Sequence, residues 1–100
     1  MSTISRLKNS ETELIEKTLK PGFPNVEAYR YNSVSIRIRV IDDRFKGKSK
    51  PERDDMVSPL LDHLPEEIQA DITILLLLTN DELAQSLMNL EFEHPTRSSI

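Results

Sequence analysis

Residues 25–41 have the sequence NVEAYRYNSVSIRIRVI, in which apolar and polar side chains alternate along most of the stretch. A period of two is typical of strands with one buried and one solvated face. Tyr31, Asn32 and Ser33 leave room only for a tight reversal, and asparagine tolerates the positive φ of short hairpin turns. The sequence therefore predicts two antiparallel strands. The predicted buried face of the second strand comprises Val34, Ile36, Ile38 and Val40.

Two arginines, Arg37 and Arg39, alternate with these apolar residues and share the opposite face of the predicted second strand. One interpretation is a half-exposed sheet surface kept soluble by its charges, and the other is a platform for an anionic ligand with Tyr29 and Tyr31 stacking beside it. The sequence favours the solvated surface.

A helix is predicted on the amino-terminal side of the hairpin. Ser10 and Glu13 form a capping-box pattern, so the helix begins near Glu11 and ends before Pro21, which cannot continue it. We expect residues 1–9 to be flexible.

Two helical segments are predicted on the other side of the hairpin. Ser49 and Glu52 form a second capping box, and the helix that follows should extend to about Leu64. Pro59 removes one backbone hydrogen bond, so we expect two short pieces. Pro65 opens a further helix that ends before Ile72.

The most apolar stretch is ITILLLL at residues 72–78, which we assign as a strand that is buried on both faces. It enters the sheet parallel through a helical crossover. One face would carry Ile72 and the alternate residues after it, leaving Leu75 and Leu77 to be covered. Thr79 and Glu82 form a third capping box, and the helix after it could provide this cover with a leucine stripe; a second copy of the protein is the alternative. The candidate protein-interface residues are Leu75, Leu77, Leu83, Leu87 and Leu90.

Length and composition limit the classes of protein that fit. The chain has 100 residues and no cysteine, which predicts one domain without disulfides, thiolate nucleophiles or sulfur ligands for zinc or an iron-sulfur cluster. The first residues lack the apolar segment of a signal peptide, and the apolar run at residues 74–78 is too short to cross a bilayer. We expect a single α+β domain over residues 10–91, a loose tail over 92–100, a cytoplasmic location and no membrane association.

Charge is distributed unevenly along the chain. Residues 1–50 carry eleven Lys and Arg against six Asp and Glu, and residues 51–100 carry two against eleven, so a net charge of −4 conceals halves of +5 and −9. Such an asymmetry suggests either a patch for an anionic partner or two faces that attract each other.

The stretch DRFKGKS at residues 43–49, followed by Arg53 and Val57, resembles the signature of the BolA-like family, a Phe-x-Gly-x-Ser loop that leads into an Arg-His-Arg-x-Val helix. The resemblance covers about residues 11–85 and implies a fold similar to type II KH domains, with the order helix, strand, strand, helix, helix, strand and here an additional C-terminal helix. It also raises nucleic-acid binding as a family-level idea. The family-motif residues are Phe45, Gly47, Ser49, Arg53 and Val57.

Two departures from the family pattern change what the resemblance implies. Asp54 and Asp55 stand where the family helix begins with further basic residues. The family also ligates an iron-sulfur cluster, shared with a monothiol glutaredoxin, through a histidine before the last strand, and this chain has Asp71 at that position. Because a soft iron favours thiolate and imidazole, we expect no cluster, no other cofactor or metal, and no glutaredoxin partnership.

Cations cluster in the loop over residues 44–53, but acidic residues in or beside the same stretch offset them. The candidate nucleic-acid-binding residues are Arg37, Arg39, Arg44, Lys46, Lys48, Lys50 and Arg53. Catalysis has little support, since neither His63 nor His94 lies in a motif. We therefore predict a non-enzymatic binding or adaptor domain that acts on a protein partner or on a second copy of itself, with a nucleic-acid-binding KH-like domain as the alternative.

Overall fold

The computed structural model describes residues 7–96, which form one three-stranded sheet covered by helices. The elements in chain order are α1 (Ser10–Leu19), β1 (Val26–Asn32), β2 (Ser35–Ile41), α2 (Lys50–Leu61), α3 (Glu66–Asp71), β3 (Ile72–Leu78) and α4 (Leu87–Glu93). Short 3₁₀ helices cover Asp43–Phe45 and Asn80–Gln85. The predicted α+β class and element order are confirmed. No helix within residues 7–96 is long and apolar enough to span a membrane.

The sheet has the order β1-β2-β3, with β1 antiparallel and β3 parallel to the central β2. The hairpin turn consists of Ser33 and Val34, and the Asn32 side chain accepts a hydrogen bond from the Val34 N–H at 2.9 Å. The predicted burial of Val34 is wrong, because the turn lies one residue later than expected and leaves this side chain 54% exposed.

The cap of α1 differs from the prediction. Asn9, not Ser10, is the N-cap, and it exchanges hydrogen bonds with Thr12, while Ser10 is the first helical residue. Lys8 donates to Glu16 on the same helix. The folded unit therefore includes residues 7–9, which we expected to be flexible; residues 1–6 lie outside the described part.

The helix α2 is continuous, so the predicted break at Pro59 is wrong. The proline lies in the last turn of the helix, where the bond it deletes is one of the last, and the Asp62 N–H restores the pattern by donating to the Ser58 carbonyl. The capping box of Ser49 and Glu52 is confirmed.

The main hydrophobic core lies between one face of the sheet and the layer formed by α1, α2 and α3. It includes Ile15, Leu19, Ile36, Ile38, Val40 and Val57, all fully buried. A smaller cluster covers the opposite face of the sheet, where Tyr29, Leu76 and Leu78 pack against Phe92 of α4.

The faces of β3 are the reverse of the prediction. Ile72, Leu75 and Leu77 pack into the main core, whereas Ile74 belongs to the smaller cluster. The cause is Thr73, an extra residue between the paired positions, which shifts the register with β2 and puts Ile72 on the same side as Leu75.

The segment after β3 is not one helix. The capping box of Thr79 and Glu82 is confirmed, but it begins a 3₁₀ helix, and Ser86 then caps the separate helix α4. The expected domain boundary at residue 91 is too early, because Phe92 is buried and the carbonyl of Thr96 accepts a hydrogen bond from a tyrosine on β1. Residues 97–100 of the expected tail lie outside the described part.

Candidate functional site

The signature loop, defined here as residues 42–53, is held to the core by an aromatic contact. Phe45 is fully buried and its ring stacks on Phe23 with the centroids 5.7 Å apart. Asp42 caps the 3₁₀ helix that contains Phe45, and hydrogen bonds from Arg44 lower the pKa of the Asp42 carboxyl. The first signature residue is therefore a packing residue.

The glycine and serine of the signature shape the backbone. Gly47 has a φ of +76°, a region that residues with a Cβ rarely adopt, and an added Cβ would meet no atom within 4 Å. Ser49 is the N-cap of α2, and its N–H donates to the Glu52 carboxylate at 2.8 Å. This bond lowers the pKa of Glu52. Both residues fix the turn into α2.

Arg53 is buried and fully engaged inside the protein. Its guanidinium donates to the carbonyls of Lys48 and Leu77, each at 2.9 Å. It also makes two bonds to the Glu82 carboxylate, at 2.7 and 3.0 Å, and these lower the pKa of Glu82 to about 2. Arg53 thus joins the signature loop to β3 and to the segment behind it, and its charge is neutralised there.

Two further cations of the loop are also paired. The Arg44 guanidinium bonds to Asp42 at 2.7 Å. The Lys50 ammonium bonds to Asp54 at 2.5 Å and to the carbonyl of Leu75 at 2.9 Å. The acidic residue at position 54, a departure from the family pattern, therefore neutralises a neighbouring lysine.

Lys46 and Lys48 differ from the rest of the cluster. Both are exposed on either side of Gly47, and neither makes an ion pair within residues 7–96. Of the seven candidate nucleic-acid-binding residues, only these two are therefore without an ion pair in the described part of the chain.

The expectation that Arg37 lies on a solvated face is wrong. The residue is only 7% exposed, pairs with Glu91 of α4 at 2.6 Å and lies over the Tyr31 ring at 3.6 Å. Its Nε is buried without a hydrogen-bond partner. Hydrogen bonding to Arg37 lowers the pKa of Glu91. The face was expected to be open because arginines that alternate with apolar residues are typical of a strand with one solvated face.

Arg39 is covered by the same helix. It donates hydrogen bonds to Asn89 at 2.7 Å and to Glu27 at 3.0 Å, and it forms an ion pair with Glu93 at 3.5 Å. Its guanidinium also lies 4.8 Å from the centre of the Phe92 ring. The two sheet arginines therefore anchor the C-terminal segment, and neither extends the exposed pair formed by Lys46 and Lys48.

A tyrosine completes the anchor of α4. The buried Tyr29 hydroxyl donates to the Phe92 carbonyl at 2.7 Å, and the two rings meet edge to face with centroids 4.8 Å apart. Burial raises the pKa of Tyr29. The buried residues of α4 are Asn89 and Phe92, neither of which was among the predicted site residues.

The outer side of α4 is apolar. Leu87 is 82% exposed, Leu90 59% and Met88 47%. Of the two covers considered for the sheet, the leucine stripe of the terminal helix does not provide one, because Leu87 and Leu90 face outward. The helix contacts the sheet arginines through Asn89 and Glu91 instead. Of the other interface candidates, Leu75 and Leu77 face the main core and Leu83 packs at the edge of the smaller cluster.

Two grooves flank α4. One, of about 410 Å³, follows β3 and is lined by Lys50, Asp54, residues 72–76 and Met88. The other, of about 260 Å³, lies between the 3₁₀ helix Asn80–Gln85 and α4, with Leu83, Leu87 and Leu90 in its wall. The exposed side chains of α4 therefore border both grooves.

Charged side chains engage both edges of the sheet. On β1, the Ala28 N–H donates to Glu16 and the Ala28 carbonyl accepts from Lys8, each at 2.9 Å. On β3, Lys50 and Arg53 occupy the Leu75 and Leu77 carbonyls. These contacts leave little continuous edge for another strand.

The position of the family's cluster histidine is taken by an ion-pair network. Asp71 accepts from Arg30 at 2.9 Å, and Arg30 also pairs with Glu11 at 2.9 Å and donates to the Asn32 and Ser33 carbonyls at the hairpin turn. Within residues 7–96, no group of three His, Asp or Glu side chains is placed to hold a metal ion.

The fold of this chain is similar to that of a known protein structure, although its sequence matches no family model. No protein-family model matches the sequence, and no curated protein matches it. Among solved structures, the chain is similar to the solution structure of BolA1 protein from Mus musculus, with a TM-score of 0.58 and 18% sequence identity over 79% of this chain and 72% of that one. The resemblance inferred from the signature is therefore confirmed at the level of the fold: this chain has a BolA-like α+β fold.

Proposed function

We propose that this chain is a non-enzymatic protein-interaction module that binds its partner through the outer surface of α4, the surface formed by Leu87, Met88 and Leu90. The observation that carries the proposal is the exposure of these three side chains on a seven-residue helix whose inner side is already anchored. Small proteins rarely present adjacent large apolar side chains to water unless they bind something there.

The test is a comparison of three baits in lysate of the source cell: the wild-type chain, a Leu87→Ser/Leu90→Ser variant and a Val34→Ser control. Val34 is a matched control because it is also exposed but lies in the hairpin turn. We expect one protein to be retained by the wild type and the control and lost from the double variant. Equal retention of that protein by all three baits would refute the proposal that the outer surface of α4 binds it.

Nucleic-acid binding through Lys46 and Lys48 is the second candidate, and the observation that favours it is their exposure without ion pairs in the described part. Against it, KH domains clamp nucleotides with a GXXG loop, and the only two glycines of this chain are Gly22 and Gly47.

The test is an oligonucleotide shift assay with a Lys46→Ala/Lys48→Ala variant and a Lys17→Ala/Lys20→Ala control, which removes the same charge in the last turn and at the C-cap of α1. Nucleic-acid binding predicts a shift that weakens steeply with salt and is lost in the first variant alone. No shift at low salt would exclude it.

We also propose that the chain has lost the family's cluster chemistry. The carboxylate of Asp71 is a poor ligand for iron in a sulfur cluster and is engaged by Arg30. Mixing the chain with a cluster-loaded monothiol glutaredoxin should leave the visible spectrum unchanged, and a changed spectrum with a stable heterodimer would contradict this. The cytoplasmic location stays a prediction.

A further inference from the structure

The groove of about 260 Å³ beside α4 is bordered by Leu87 and Leu90 of the proposed partner surface, and the inference drawn from it rests on that proposed interaction function. Leu87 and Leu90 are three residues apart and so occupy one face of α4, and Leu83 extends the apolar wall onto the 3₁₀ helix. Both walls are helical side chains, which suits the ridges of another helix.

The charge around the groove is negative. The described segment 79–96 carries the acidic residues Asp81, Glu82, Glu91 and Glu93 and no Lys or Arg. Arg53 and Arg37 neutralise the middle two. Asp81 makes no ion pair within residues 7–96, and Glu93, which lines the groove, shares Arg39 with another carboxylate. Glu93 lies in the groove wall and Asp81 lies on the 3₁₀ helix whose last residues form the opposite wall, so the two leave an excess of negative charge beside the groove that a cationic partner would complement.

This charge disfavours the other occupants of an apolar surface. In a symmetric contact between two copies, each residue meets the same patch of the partner copy, so Glu93 and Asp81 would face like charges. An anionic membrane would be repelled for the same reason. An extended strand gains its affinity from an open sheet edge. Here charged side chains already bond to the backbone groups of Ala28, Leu75 and Leu77 at the two edges.

We propose that this groove binds a basic amphipathic helix of a partner protein, which inserts apolar side chains beside Leu83, Leu87 and Leu90 and directs Lys or Arg toward Asp81 and Glu93. Binding of this kind places apolar anchors at i, i+3 or i+4 and i+7 on the partner helix. The basic flanks then fix which helices are accepted and at what ionic strength they bind.

The test uses fluorescent synthetic peptides and the full chain. The basic probe has leucines at helical spacing on one face and lysines elsewhere; the acidic probe replaces each lysine by glutamate; the scrambled probe keeps the basic composition but not the spacing. We expect the basic probe alone to bind, measured by anisotropy. Binding of the acidic or scrambled probe with equal affinity, or no binding of the basic probe at millimolar concentration, would overturn the inference.

Variants locate the site. Leu87→Ser/Leu90→Ser should weaken the basic probe by at least about tenfold, since two apolar contacts are removed. Asp81→Asn/Glu93→Gln should weaken it by up to about tenfold at low salt and approach the wild-type affinity at high salt. Val34→Ser should bind like the wild type. Unchanged binding by the leucine variant would place the probe elsewhere and overturn the inference, provided circular dichroism shows the variant is folded.

Two further measurements separate the inference from the proposed function. Anionic vesicles bound by the wild type but not by the leucine variant, or a dimer in solution that the same variant dissociates, would assign the groove to a lipid surface or to a second copy and overturn the inference. If the natural partner is captured through Leu87 and Leu90 while the basic probe fails, the proposed function stands and only the partner class is wrong.

Discussion

The two faces of the sheet are covered in different ways. One face packs against α1, α2 and α3 through a continuous apolar core. The other face is covered by α4, a single short helix held by arginines and a tyrosine, with Phe92 as its one fully buried apolar side chain. The helices α1, α2 and α3 maintain the fold through their apolar side chains. The helix α4 instead has Leu87, Met88 and Leu90 on its outer surface, where they can contact a partner.

The largest loss of stability is expected for a substitution in the core between the sheet and α1, α2 and α3. Phe45→Ala removes a fully buried ring that stacks on Phe23, and we expect it to lower the free energy of unfolding by about 3–5 kcal/mol, as for other buried phenylalanines. Urea denaturation monitored by circular dichroism measures this. A loss below about 1 kcal/mol would show that the signature loop is not part of the core.

A smaller effect is expected on the second face. Phe92→Ala should cost about half as much, ~2 kcal/mol, because α4 can detach locally while the main core stays folded. Hydrogen exchange should show faster exchange in α4 and little change in β2. Faster exchange in both α4 and β2 would mean that the covers of the two sheet faces unfold together, contrary to the difference in stability expected between them.

The ion pair of Arg53 and Glu82 links α2 to the 3₁₀ helix Asn80–Gln85. It should make a moderate, pH-dependent contribution to the free energy of unfolding. The pKa of Glu82 is lowered to about 2 in the folded chain, so the pair stabilises the fold above the ordinary pKa of a glutamate and this contribution is lost as pH falls from about 4.5 toward 2. Because the carboxylate is partly exposed, we expect only ~1 kcal/mol.

The control for that prediction is Glu82→Gln. It should lose the same ~1 kcal/mol at neutral pH and show a flatter stability profile between pH 5 and pH 2 than the wild type. A parallel profile for the two proteins would mean that Glu82 is not the group that titrates.

The smallest effect on stability is expected for the outer surface of α4. Leu87→Ser and Leu90→Ser, at 82% and 59% exposure, should each change the free energy of unfolding by less than about 0.5 kcal/mol. Thermal denaturation measures this. A loss above about 1 kcal/mol for either variant would show that these leucines support the fold instead of a partner.

Local signals in the sequence predicted much of the fold. The period-two stretch gave the hairpin, and the capping boxes at Ser49 and Thr79 marked true helix starts, because these features depend on residues close in the chain. The signature residues were also found from their spacing. Phe45, Arg53 and Val57 are buried, and the exposed Gly47 and Ser49 shape the backbone, so these contacts are structural.

The candidate site was predicted less well because it depends on contacts between distant residues. A single extra residue, Thr73, exchanged the faces of β3, and spacing alone does not reveal such an irregularity. The leucines of α4 were expected to face inward by hydrophobicity, but the sheet face presents Arg37, whose charge is matched by Glu91. One signal was present in the sequence: acidic residues two apart in the C-terminal segment complement the two arginines that are two apart on β2.

Contact between the outer surface of α4 and a protein partner can be measured by photo-crosslinking in the source cell. A photoreactive residue in place of Leu90 should cross-link to a distinct protein, and the same residue in place of Val34 in the hairpin turn should not. No cross-link at Leu90, or the same cross-linked products from both positions, would contradict the account.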